Sequence, residues 1–351
     1  MPRPTERGGR LERNARDRAA RRTETDAGGS GEPLDSYRRV AAPRVPVLPE
    51  EVEPLFGGVE AGGTKFKCII GRAPDDILAR IRLSTEDPRS TLAAVTAFFL
   101  GARLEGLAVD AVGIGAFGPL DLDSGSRTHG RILRTPKAGW SGADVLGTVA
   151  RAVRVPVAID TDVAAAALAE HRWGAAQRLE SFVYLTVGTG IGGSALIDGR
   201  PLPGPGHPEM GHMSVPLTPG DRFDGVCPYH GACWEGLASG PALEARYGVP
   251  AQDLRGDALL RAVELEAGYL AVGIASLVYM LAPQRVLMGG GVSLIPGLMD
   301  AVRERFALLL ADYPGLDAHQ DPAFIRAPGL GGAAGALGGV ILAEQAFAGV
   351  R

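Results

Sequence analysis

Cysteine is scarce: the chain has three in 351 residues. That excludes a disulfide framework and points to a reducing, cytosolic setting. An excess of positive charge is missing too. The formal net charge is −4, so no overall basic field argues for a nucleic-acid partner. No apolar run reaches the length of a membrane span, and the first residues lack the apolar core of a signal peptide. Neither a membrane nor secretion is therefore expected. What remains is ordinary globular composition, 46% hydrophobic and 22% charged, at a length that suggests two domains with their own cores.

The opening stretch, 1–54, differs from the rest. It is Arg-rich, mixed in charge and almost without large apolar residues. Such a segment buries too little surface to offset its ordering entropy, so it reads as a disordered tail. Its interspersed Glu and Asp weaken the alternative of a basic nucleic-acid arm.

From Leu55 the pattern becomes strand-like. "LFGGVEAGG", "TKFKCIIG" and "DDILARIRL" predict three strands, "STLAAVTAFFLGARL" a helix and "DAVGIG" a fourth strand. After a loop with Pro119, Pro136 and Gly139 come a helix near 142–153 and the strand "VPVAID". "TDVAAAALAEHRW" reads as a helix capped by Asp160 or Thr161.

"SFVYLTVGTGIGGSALIDGR" opens the second half in the same way. With Val59 laid on Val187, five positions in fourteen agree. The shared strand–glycine–strand shape is the stronger sign of two related α/β domains facing across a cleft, expected over 55–163 and 164–351. A long loop follows, then helices near 239–247 and 257–281, the strand "RVLMGGG", a helix near 295–311 and a final Ala/Gly-rich helix.

"VGTGIGG" satisfies G-x-G-x-x-G, but "SALIDGR" after it alternates like a strand, so a hairpin fits better than a dinucleotide-binding turn. "GGVEAGGTK" fails the P-loop pattern. Both glycine turns leave backbone N–H groups free to meet an anion closely, and two of them facing would hold a polyphosphate. Asp162 opens a helix directly after a strand. Position alone makes it a first-turn residue; its functional reading is a carboxylate aimed at a substrate hydroxyl.

"CPYHGACWEG" places Cys227, His230 and Cys233 at C-x2-H-x2-C spacing. Zinc in a structural site wants a fourth ligand, and "GHPEMGH" offers His207 or His212, the latter nearer in sequence. Four protein ligands would close the sphere, so the metal would staple a loop rather than activate water. Glu209 and Glu235 flank the cluster and would then be fixed as acceptors for a polyol.

In this order, "GGVEAGGTKFKC", "GAFGPLDLD", "TPKAGW", "TDVAAAALAE", "LTVGTGIGGSAL", "GHPEMGH", "CPYHGACWEGLASGPA" and "LMGGGV" resemble the ROK family of sugar kinases, most closely its bacterial fructokinases. The resemblance runs from about residue 56 to the end. It implies an actin-like ATPase (ribonuclease H-like) fold shared with hexokinase, with ATP and Mg²⁺ in the cleft.

By the same resemblance, Gly62, Gly63, Thr64 and Lys65 form the first phosphate loop. Thr189, Gly190 and Gly192 form the second, and Gly289, Gly290 and Gly291 lie near the adenosine. Asp162 matches the catalytic base, and Thr161, Glu209, His212 and Glu235 match sugar-side positions. His212, Cys227, His230 and Cys233 match zinc ligands within a loop at 207–239. D-fructose as substrate, a homodimer, and a last helix near 330–348 packing back on the first domain are also implied. Mannokinase and glucokinase are the neighbouring readings. ROK repressors carry an N-terminal helix-turn-helix, whose length and apolar pattern residues 1–54 lack. One departure stands out: Ala164 occupies the place of the Asn in the family's D-x-N.

Overall fold

The computed structural model describes residues 53–202 and 206–350. The segment read as a disordered tail lies outside the described residues, apart from Glu53 and Pro54.

Three strands open the fold in antiparallel succession: β1 (Phe56–Ala61), β2 (Lys65–Ala73) and β3 (Asp76–Ser84). Helix α1 (Pro88–Leu104) starts where Asp87 accepts the Arg89 and Ser90 amides and Pro88 takes the first turn. It buries Leu92, Val95 and Phe99, one face at helical spacing. Then come β4 (Ala111–Ala116), α2 (Val145–Val153) and β5 (Val157–Thr161). The five strands form one sheet in the order β3-β2-β1-β4-β5, with β4 and β5 parallel to β1.

Helix α3 (Asp162–Trp173) leads to β6 (Ser181–Val187), β7 (Ile191–Ile197) and β8 (Arg200–Pro201). The predicted long loop carries more structure than its sequence suggests: a 3₁₀ turn at Met210–His212 and the short helix α4 (Trp234–Ala238). After α5 (Gly240–Tyr247) and α6 (Gly256–Leu281), the chain returns as β9 (Val286–Gly289), α7 (Leu298–Leu310) and β10 (Ile325–Arg326). β10, only two residues long, leaves no periodic signal in the sequence. This sheet runs β10-β9-β6-β7-β8.

Counted from its own first strand, each sheet has the same plan: two antiparallel neighbours on one side and two parallel ones on the other. This duplicated α/β plan is the actin-like ATPase fold. The residue alignment of the two halves needs correction, however. The first hairpin closes with the Gly62 amide on the Lys65 carbonyl, the second with the Gly188 amide on the Gly190 carbonyl. Superposing the turns puts Val187 opposite the end of β1, not on Val59. The kinship is one of topology rather than of matched residues.

Helix α6 also corrects an expectation. It is long and apolar enough to cross a membrane by composition alone, but 56% of its apolar window is buried inside the protein. It serves as the core helix against which α4 and α7 pack.

The last helix, α8 (Ala334–Ala348), begins after a 3₁₀ turn at Gly331–Ala333 and lies on β1, β4 and α3. Its small residues are required by how close the backbones come. A Cβ on Gly339 would lie 2.6 Å from the Val59 amide nitrogen, and one on Gly113 of β4 would clash with the Gly339 carbonyl. A Cβ on Gly338 would strike the Ala165 carbonyl in α3, and helix backbone cannot rotate away. Gly338→Ala is therefore expected to cost about 3 kcal/mol or more, read as a lower urea midpoint. A midpoint equal to wild type would disprove this packing.

Candidate active site

A cleft of about 1520 Å³ runs between the turns of the two sheets. Gly62, Gly63, Thr64 and Lys65 line it from the β1–β2 turn, and Gly188, Thr189, Gly190 and Gly192 from the β6–β7 turn. Thr85 steadies the first turn: its hydroxyl donates to the Gly62 carbonyl at 2.7 Å and its amide to the Thr64 carbonyl at 3.1 Å. Side chains at Gly63 and Gly291 would meet nothing within 4 Å, so backbone faces open space there. Gly290, at φ +93°, turns the chain past Val187, whose carbonyl oxygen a Cβ would strike. Gly290 and Gly291 line the cleft, whereas Gly289 is buried one step back in β9.

Asp162 stands between the two turns at the start of α3. The cap is Thr161, not Asp160: Thr161 Oγ1 accepts the Ala164 amide at 3.1 Å. Thr161 is only 4% exposed, and its hydroxyl, fixed by the helix amide, keeps its proton as a donor. Asp162 Oδ1 accepts the Val163 amide at 2.9 Å, and its own amide also favours the ionised carboxylate; among the described residues no other residue donates a hydrogen bond to Oδ2. Burial raises the Asp162 carboxyl to about 6, and the charges of Glu60 and Glu209 push the same way. A carboxylate with a free oxygen and a pKa near neutrality is suited to accept a proton.

The Cys/His loop is built around one tight turn. Cys227 and Gly231 exchange backbone hydrogen bonds at 3.2 and 2.9 Å, with Gly231 at φ +58°. Cys233 then caps α4 and Glu235 falls in its first turn. The ligand atoms of His212, Cys227, His230 and Cys233 all lie within 4.8 Å of one another. His212 Nδ1 is 3.5 Å from Cys233 Sγ and 3.7 Å from Cys227 Sγ; His230 Nδ1 is 3.7 Å from Cys227 Sγ. Zinc bonds of about 2.0–2.3 Å at tetrahedral angles give edges of roughly 3.3–3.8 Å, so these four side chains fit that ion. The opposite end of the loop is held by Asp221, which accepts Arg246 at 2.9 and 2.8 Å and is pulled down to about 2 by those bonds.

Glu235 ties this loop to the second turn: its Oε2 accepts the Ile191 amide at 2.9 Å. Glu209, His212 and Glu235 all line the cleft, whereas the other three cluster residues do not. His212 is thus shared, with Nδ1 turned to the cluster. His207, the alternative ligand, is not in the cluster.

Sequence reasoning passed over Glu60. It lines the cleft close enough to raise Asp162, and both its oxygens accept Lys67 Nζ, at 2.9 and 2.8 Å. The signal was available: a carboxylate inside an otherwise apolar, glycine-rich strand is costly unless it is paired or used.

A duplicated α/β fold with two glycine turns and a buried carboxylate lining one cleft fits a phosphotransferase of the actin-like ATPase class. The ROK family pattern matches residues 56–346, and the chain belongs to the ROK family. It is 42% identical to a putative fructokinase of Bacillus subtilis over 84% of this chain and 96% of the relative. It is also 42% identical to a fructokinase of Zymomonas mobilis, over 83% and 97%. Among solved structures, a ROK family glucokinase from Streptomyces griseus in complex with glucose and AMPPNP is similar at 27% identity. That match covers 83% of this chain and 99% of the other, with a TM-score of 0.64.

Proposed function

We propose that the chain is an ATP-dependent fructokinase, transferring the γ-phosphoryl group of ATP to the 6-hydroxyl of D-fructose. The observation that carries this reading is Asp162, with its free Oδ2, between two glycine turns and within electrostatic reach of Glu209. The fructokinase relatives at 42% identity supply the sugar.

In this mechanism, the backbone amides of 62–65 and 188–192 hold the phosphates. Residues 290–291 border the adenosine. Glu209, Glu235 and His212 accept and donate to the sugar hydroxyls, which aims the 6-hydroxyl at Asp162 Oδ2. The hydroxyl oxygen bonds to the γ-phosphorus as the bridging P–O bond to ADP breaks, and its proton passes to Asp162.

Mg²⁺ on the phosphates would neutralise developing charge, and Glu60 and Asp162 are the carboxylates lining the cleft that would hold it. Zn²⁺ in the Cys/His cluster would have a closed coordination sphere and hold the loop that carries Glu209 and Glu235. A homodimer, and two lobes meeting at about residue 163, complete the reading.

An ADP-release assay over fructose, mannose, glucose and N-acetylated hexosamines tests it, with fructose expected to give the highest kcat/KM. Glucose above fructose would favour the glucokinase reading, and no turnover of any hexose would overturn both. The pH profile has a definite sign. Only ionised Asp162 accepts a proton, so kcat/KM should fall about tenfold per unit below pH 6, the free-enzyme pKa. A profile flat from about pH 5 to 8 would remove Asp162 from the base role.

A further inference from the structure

We propose that His207 is a positioning residue: it hangs from the loop after β4 and aims the Glu209 carboxylate into the cleft. This rests on the sugar-kinase reading above, which assigns Glu209 to the sugar.

The His207 side chain is 12% exposed, and its Nε2 accepts the Leu120 amide at 3.0 Å. An amide can only donate, so Nε2 carries no proton and the neutral ring holds its proton on Nδ1. Nδ1 lies 3.4 Å from Glu209 Oε1. The tautomer demanded on one side of the ring therefore puts its one proton on the side of the carboxylate, at an electrostatic contact of 3.4 Å.

The Leu120 donor is well fixed, because its side chain is 2% exposed and its neighbour Leu133 bonds back to the Pro119 carbonyl at 2.7 Å. Gly118 makes room for the ring, since a Cβ there would lie 3.2 Å from His207 Cε1. Glu209 itself is 44% exposed, and its carboxylate has no other partner among the described residues. Left alone, such a side chain samples many rotamers and must lose that freedom when a sugar binds. His207 removes part of the loss beforehand and links the sugar loop to the first sheet.

The test is steady-state kinetics on His207→Ala and His207→Asn, with fructose and ATP varied separately. His207→Ala is expected to raise the fructose KM about tenfold or more, with kcat and the ATP KM within about threefold of wild type. Asn, which keeps an N–H near the Nδ1 position, is expected to bring the fructose KM back to within about threefold. An Ala variant within about twofold of wild type, or one in which the fructose and ATP constants worsen together, would overturn the proposal.

The ¹⁵N spectrum of the imidazoles in the wild-type protein gives a second reading that needs no turnover. His207 is expected as the neutral Nδ1–H tautomer, and an Nε2–H tautomer would overturn the proposal by itself. A wild type with the Nδ1–H tautomer but no hexose turnover would instead locate the failure in the kinase reading.

Discussion

Replacing Asp162 by Asn should lower kcat by roughly 10³-fold while leaving fructose binding intact, since general base catalysis is worth about 10²–10⁴. The same change should make the protein more stable at neutral and alkaline pH. Burial and neighbouring carboxylates raise Asp162 to about 6 in the fold, against 3.8 for an ordinary aspartate. The folded chain thus binds this proton more tightly than the unfolded chain. The associated stability is present below about pH 4 and is lost as pH rises through about 6.

Above pH 7 the cost of holding the ionised group is on the order of 2–3 kcal/mol, and Asn does not incur it. Asn also keeps an oxygen for the Val163 amide. Turnover and urea unfolding at about pH 8 check both halves. An active Asn variant would dismiss the base; an inactive one no more stable than wild type would show that Asp162 is not strained in the cleft.

Stripping the metal is expected to have the second largest effect. Elemental analysis should find about one zinc per chain, because two thiols and two imidazoles converge with their ligand atoms within 4.8 Å of one another. A metal present at a hundred times its dissociation constant stabilises by about 2.7 kcal/mol, or roughly 4 °C in Tm at the unfolding entropy of a chain this long. Chelation should remove at least that much. It should also raise the fructose KM more than the ATP KM, because Glu209 and Glu235 ride on the same loop.

Residues beyond the cluster should hold, since Asp221 and Arg246 anchor the loop independently. Cys227→Ser should reproduce the chelated state. A metal-free preparation with full activity and an unchanged Tm would refute the staple.

Much of this was legible in the sequence because its signals are local. Alternating apolar residues marked the strands, glycines marked the two turns, and C-x2-H-x2-C marked three side chains that one tight turn brings together. Each depends on spacing within a few residues, where backbone geometry leaves few choices.

Other features depended on segments far apart in the chain. The residue match between the halves failed because topology constrains strand order and direction but not turn length. Glu60 went unnoticed because its importance comes from Asp162, about a hundred residues away, and no periodicity reports that proximity.

The chain's order of motifs thus determined by itself the fold class, the two glycine turns, Asp162 at a helix start and the Cys/His loop. The sequence already favoured His212 as the fourth ligand, and the tertiary structure groups it with the cluster while His207 turns to Leu120; only the tertiary structure decided that Thr161 rather than Asp160 caps α3 and that Glu60 lies within electrostatic reach of Asp162. The physical reason is the same in each case. These choices between chemically similar residues are made by long-range packing, and above all by glycine-close contacts such as Gly338 on Ala165, which bring distant segments of the chain together.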